Sequence, residues 1–272
     1  MISGVTQVSF GNISDQLVIF FGLGPLSLAI LGFFYYRRSR AVKFAYTLID
    51  SDSAGYASSW VEHSSSDPES ANAIADLAAT WERVKPSSAA PSKLQVHTQL
   101  SKLYRHAHVV NVWFQNVVKR WQQESNADPD AFKFTDIKEP ARAIEKIRRT
   151  YFGVVARVTD VVRASIVVEN VAAVNKILEV IANDPSVTIL RGKNRFDVNY
   201  SAKTSGGYRD FQLLLRCTGA DVPAAYKDDV KFVEECQMTC AEVQIHVKSI
   251  LEFKNESGGH DGYTRFRKIM AQ

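Results

Sequence analysis

A chain of 272 residues has room for one large domain or two small ones and for a substantial core. Hydrophobic residues make up 46% and charged residues 23%, a globular balance that excludes wholesale disorder. The net charge of +4 is too weak to argue for nucleic acid as the main partner, and no specific nucleic acid is expected. Three cysteines, Cys217, Cys236 and Cys240, exclude a disulfide scaffold and read as reduced thiols. Cys236 and Cys240 lack the second pair that a cysteine zinc site needs.

After a short tail, residues 1–16, the stretch 17–36 reads LVIFFGLGPLSLAILGFFYY and carries no charge. About 20 residues rising ~1.5 Å each span a bilayer core, so this predicts one transmembrane helix contacting the lipid bilayer. Arg37, Arg38, Arg40 and Lys43 follow it, and nothing basic precedes it. The positive-inside rule then leaves the N-terminus outside and the remaining chain, with its catalytic domain, cytoplasmic. Residues 37–72 form an expected linker, rich in Ser and Asp from 50 onward. Residues 73–135 read as a helical region. A helix over 68–84 places Ile74, Leu77, Ala78 and Trp81 on one face, and a longer one over 94–123 places Leu100, Leu103, Val110 and Phe114 together.

From 136 to 270 the texture changes. A helix over 137–151 is expected to bury Ile137, Ala141, Ile144, Ile147 and Tyr151, with Lys138, Arg142, Lys146 and Arg149 on one solvent-facing stripe. Asp160 and Arg163 stand at the mouth of a β-branched strand ending at Val168, which a helix and a short strand over 187–190 follow. A basic loop over 191–207 then carries Lys193 and Lys203 and ends in Gly206-Gly207. Strands over 208–216 and 240–247 alternate. In the last, Ala241, Val243, Ile245 and Val247 face the core, and Glu242, Gln244 and His246 face water or ligand.

The order Lys138…Lys146, Asp160-x-x-Arg163, Lys193…Lys203, Gly207-Tyr208-Arg209 and Glu242-Val-Gln244-Ile245 resembles the synthetase domain of the RelA/SpoT family. The resemblance covers about half the chain. It implies an α+β fold, a nucleotidyltransferase-like mixed β-sheet flanked by helices, here preceded by N-terminal helices and the transmembrane helix. It implies a GTP diphosphokinase, transferring pyrophosphate from ATP to the 3′-hydroxyl of GDP or GTP to make guanosine tetra- and pentaphosphate. Mg²⁺ would be held by Asp160 and Glu242. Glu242 would also activate the acceptor hydroxyl, and Arg163 would stabilise transferred charge. Lys138 and Lys146 would lie near ATP, with Arg142 supplying part of the charge lost where Asp136 replaces an arginine. Lys193 and Lys203 would contact phosphates, Tyr208 would stack on guanine, and Gln244 and His246 would complete the nucleotide site.

The sequence departs from the family pattern at Asp210 and Gln212, where serine and histidine are usual, and at His246, where arginine is. Acceptor identity stays open between GDP, GTP, another nucleotide and an RNA end, and so does a catalytically degenerate, nucleotide-binding regulatory or scaffold protein. A homo-oligomer is left open. The His-Asp pair of the family's hydrolase domain is absent from the first 250 residues, so no alarmone hydrolase activity is expected. His260-Asp261 reads instead as part of a closing turn with Tyr263.

Overall fold

The computed structural model describes residues 13–65, 68–87, 92–128, 130–133, 135–256 and 269; a few side chains within helices and strands, including those of 13–24 and of Lys203, lie outside the description. The turn expected around His260 and Tyr263 also lies outside the described residues.

Helix α1, Ile13–Ser65, runs 53 residues and passes through Pro25 without a break. The expected span 17–36 falls in its first half. Among the described residues, no helix is long and apolar enough to cross a membrane. The expected linker is a correction: through Ser65 it continues α1. Its composition suits solvent, but Ala45 and Tyr56 are pinned in the core at 0% and 4% exposure, and a helix held on one face does not need strong intrinsic propensity. Gly55 permits this docking, because a Cβ there would sit 1.9 Å from the ring of Phe253.

Helix α2, Pro68–Val84, matches its predicted bounds and buries Ile74 and Leu77. Helix α3, Leu100–Glu124, begins six residues later than the apolar pattern suggests. Tertiary hydrogen bonds take up the backbone before it: the Gln95 amide N–H donates to the Ala156 carbonyl (2.8 Å), and the Gln95 side chain pairs with both backbone groups of Cys240 (2.9 and 3.3 Å). Helix α4, Pro140–Thr150, starts at its proline, whose fixed φ suits the first helical position and disfavours helix at the residue before it.

Among the described residues the sheet has five strands: β1 (Phe132–Lys133), β2 (Val162–Val168), β3 (Thr188–Asn194), β4 (Phe211–Arg216) and β5 (Cys240–Val247), in the order β1-β2-β5-β4-β3. β2 and β5 run parallel and every other neighbouring pair is antiparallel, so the sheet is mixed, as the α+β reading expects. Helix α5, Val171–Asn183, follows β2 and is capped by the Asn170 side chain, which accepts from the Ala173 N–H at 3.0 Å. Helix α6, Val230–Gln237, has Asp229 in the same role toward Phe232, and α7, Lys248–Glu256, follows β5 directly.

Period-2 alternation divides the sheet into two chemically different faces. Val162, Ala164, Ile166, Phe211, Leu213, Leu215, Ala241, Val243 and Ile245 are all at most 3% exposed. With the apolar sides of α3 and α5 they form the main core, each large aliphatic side chain contributing about 1.5–3 kcal/mol. The opposite face receives the polar set, and the core thereby fixes where those groups stand.

Candidate functional site

Strand register assembles the polar face. Arg163 on β2 lies opposite Glu242 on β5, Gln244 lies opposite Ser165 on one side and Gln212 on the other, and Gln212 lies opposite Lys193. These residues are far apart in sequence and share one side of the sheet because each pair is in register.

Asp160 precedes β2 at the rim of this face, and both sequence-predicted lysines come to it. Lys138 Nζ and Lys146 Nζ each donate to Asp160 Oδ2 at 2.7 Å. This corrects the expected solvent-facing stripe: the Lys138 and Lys146 side chains are 15% and 22% exposed. Turning Lys146 inward also shifts the buried face of α4 to Ala143 and Ile147, leaving Ile144 39% exposed. Arg142 stays outside, 3.6 Å from Glu145, and Arg149 pairs with the same carboxylate at 2.8 Å. Burial pushes the Asp160 carboxyl up, but Lys146 and Lys138 outweigh burial and hold it below its ordinary value. Asp160 Oδ1 is buried with no hydrogen-bond partner among the described residues.

Glu242 is held differently. Gln244 Nε2 donates to its Oε1 at 3.0 Å, and Gln212 Nε2 donates to its Oε2. Burial first, and then the charge of Asp160, raise its carboxyl above the ordinary value. The two acids thus feel each other and are pushed in opposite directions, the pattern expected where one carboxylate binds cations and another handles a proton.

Arg163 donates from Nε to the Asp136 carbonyl at 3.4 Å. Its strand is braced by Gln115 of α3, whose amide donates to the Thr135 and Arg163 carbonyls at 3.1 and 3.3 Å. Lys193 lies on β3 rather than in the loop, with its ammonium 5.5 Å from the Tyr200 ring centroid. Lys203 has its backbone in the 3₁₀ turn Ala202–Ser205. Gly206 and Gly207, at φ 64° and 91°, turn the chain into β4, so the strand starts at Phe211 rather than 208. Tyr208 does not present an open ring. Its hydroxyl bonds His246 Nδ1, and Tyr56 of α1 meets it edge-on with ring centroids 5.7 Å apart. Burial raises the Tyr208 phenol well above its usual value.

Several residues at this site were given no role by the sequence reading. Arg195 forms a buried ion pair with Asp210 and reaches Gln212 at 3.5 Å. Arg209 donates to the carbonyls of Arg195 (2.6 Å), Asp197 (3.2 Å) and Tyr200 (3.3 Å), and lies 4.4 Å from the Trp60 ring centroid. Tyr104 of α3 donates to the Lys138 carbonyl at 2.5 Å. Burial and then Asp160 push its phenol up to about 12. The basic count of the loop pointed toward Arg195, but nothing in the sequence marked Tyr104 or Tyr56. A surface depression lined by Arg120, Lys176 and Asp184 lies elsewhere and gathers none of the predicted residues.

No family model and no curated protein matches this chain. Among solved structures, it is similar to the small alarmone synthetase 1 of Bacillus subtilis bound to its product pppGpp. The identity is 15% over 61% of this chain and 85% of that one, with a TM-score of 0.39. A second structure of that enzyme aligns at 16% identity over 62% and 85%, TM-score 0.38. A Streptococcus mutans protein aligns at 15% over 63% and 88%, TM-score 0.34. Overlaps this loose carry neither fold nor function, so the chemistry has to come from the side chains themselves.

Proposed function

We propose that the polar face transfers a pyrophosphoryl group from ATP to the 3′-hydroxyl of GDP or GTP. The carrying observation is the pairing of Asp160 and Glu242, one carboxyl depressed between two lysines and the other raised by burial. Glu242 is the base: it takes the proton of the acceptor hydroxyl as that oxygen bonds the β-phosphorus of ATP. The bond from that phosphorus to the α–β bridging oxygen breaks, and AMP leaves. Gln212 and Gln244 hold both Glu242 oxygens, so the base is aimed before substrate arrives. Lys138, Lys146, Arg163 and Lys193 supply the positive charge on which phosphoryl-type transfer depends.

The donor set fits Mg²⁺: Asp160 Oδ1 is a buried carboxylate oxygen without a partner among the described residues, and Glu242 is the neighbouring acid. Held at Asp160 Oδ1, with Glu242 close by but engaged by Gln212 and Gln244, the ion would neutralise phosphate charge.

One observation favours a second reading, in which the chain binds nucleotide and regulates without turnover: Tyr208, the expected stacking ring, is covered by Tyr56. The full chain, incubated with Mg²⁺, γ-labelled ATP and each acceptor beside a Glu242→Gln control, separates the two. Label on GDP or GTP that vanishes in the control supports transfer. Label on another nucleotide or an RNA end keeps the mechanism and changes the substrate. No transfer from protein that binds ATP leaves the regulatory reading.

The same proposal tethers the chain to a bilayer through 17–36, with the synthetase half, 136–270, on the cytoplasmic side. In support, Leu26, Leu28, Leu31, Phe33, Phe34 and Tyr35 are each more than half exposed, and the basic flank follows. Release of the full chain from membranes by alkaline carbonate would overturn it.

A further inference from the structure

Away from the polar face, among the described residues, one cluster gathers metal-ligand side chains: His97, His106 and Glu235. His97 comes from the segment before α3, His106 from α3 and Glu235 from α6. The imidazoles are 3% and 2% exposed, and the Glu235 side chain keeps 21% of its surface. One ligand atom from each lies within 4.8 Å of the other two.

The hydrogen bonding around these rings is incomplete in a specific way. His106 Nδ1 lies 2.8 Å from the Lys102 carbonyl, which can only accept, so Nδ1 carries the proton. In the neutral ring, Nε2 is then a lone pair, and it stands 3.1 Å from Glu235 Oε2, another lone-pair bearer. His97 Nε2 is buried with no hydrogen-bond partner among the described residues. A second proton on His106 would satisfy the contact with Glu235 but leave His97 Nε2 stranded. A divalent metal satisfies all three.

We propose that His97, His106 and Glu235 form a zinc-class metal site that fastens the segment before α3, and α3 itself, to α6. Two imidazoles and a carboxylate with water in the fourth position suit zinc and disfavour magnesium. The Lys102 carbonyl is the outer contact that fixes the His106 tautomer. The two rings lie face to face with centroids 4.3 Å apart, which holds His97 of the preceding segment against His106 of α3. Location gives the site a purpose. Gln95, two residues from His97, already holds both backbone groups of Cys240, and Glu235 leads into the same strand. The metal would clamp the entry to β5, the strand carrying Glu242.

The test loads the full chain with zinc or cobalt(II) and measures metal per chain, the cobalt spectrum and thermal unfolding with and without chelator. His97→Gln and Glu235→Gln are measured alongside. The proposal expects one equivalent of zinc, visible cobalt bands of a four-coordinate nitrogen–oxygen site without a thiolate charge-transfer band, and at least tenfold weaker binding in both variants. Chelator should lower the unfolding temperature of the native chain and leave that of the variants unchanged. No stoichiometric metal, undiminished binding in the variants, or a thiolate band would overturn it. If neither variant folds, the native chain's cobalt spectrum and chelator response decide the question.

Discussion

Lys146 meets Asp160 at 2.7 Å on the same carboxylate oxygen that Lys138 holds at 2.7 Å. Two ammoniums on one oxygen repel each other, and the carboxylate is what keeps them together. Asp160→Asn therefore leaves two partly buried cations facing a neutral amide. Breaking such a buried pair costs about 3–5 kcal/mol, so thermal unfolding should fall well below that of the native chain. Transfer activity should fall at least 100-fold at a temperature where the variant remains folded. An Asn variant with native activity would remove Asp160 from the mechanism.

The depressed carboxyl also gives a pH signature. Because the folded pKa of Asp160 lies below its ordinary 3.8, its contribution to stability is complete above that value and is lost as pH falls through the folded pKa. Lys146→Met removes one of the two cations that depress it. The acid unfolding midpoint, followed by circular dichroism, should move to higher pH in this variant. An unchanged midpoint would mean that the lysine contact does not persist in solution.

Glu242 behaves in the opposite sense. Its folded pKa is raised above the ordinary 4.5, so its charged form opposes folding at neutral pH, and protonation relieves that cost as pH falls through the folded value. Glu242→Gln should leave the neutral-pH unfolding temperature unchanged or higher, while removing about 10²–10⁴-fold of the rate, the usual share of a general base. The acid limb of kcat in the native chain should lie above 4.5. Activity that survives in the Gln variant would assign the base elsewhere.

The polar face of β5 was legible in the sequence because strand alternation is a local signal, whereas the pairing of Asp160 with Glu242 came only from the resemblance. β5 lies at its predicted residues, with Ala241, Val243 and Ile245 buried and Glu242 and Gln244 on the other side. Less local features were not legible. The late start of α3 depends on Gln95 reaching the backbone of Cys240, 145 residues away. The inward turn of Lys146 depends on Asp160, and the helical course of a Ser-rich stretch depends on Tyr56 and Gly55 finding α7 and the Tyr208 ring. Sequence spacing contains the face of a helix but not the partner that rotates it.

Asp210 stands where the resembling family has serine, and the structure gives it a partner: Arg195, in a pair whose side chains are 3% and 17% exposed. Asp210→Ala strands a guanidinium beside Gln212, with an expected loss of about 3–5 kcal/mol. The double variant Arg195→Met, Asp210→Ala removes both charges and should recover much of that loss. Chemical denaturation of the four proteins gives the coupling directly. Equal destabilisation in the single and double variants would show that the pair is not a unit.

Tyr56 carries the last expectation. Its ring packs on Tyr208 at 5.7 Å and on Phe253 at 4.8 Å, so α1 covers the aromatic assigned to the acceptor base. Base stacking on Tyr208 requires that cover to lift. Tyr56→Leu keeps apolar volume at the contact and removes the edge-on ring, at a stability cost of about 1–3 kcal/mol. The KM for GDP or GTP should then fall several-fold with kcat little changed, since the substitution touches neither Asp160 nor Glu242. Tyr208→Leu should raise KM in either background. A Tyr56→Leu protein with native KM would mean that the acceptor approaches Tyr208 from a side that α1 leaves open.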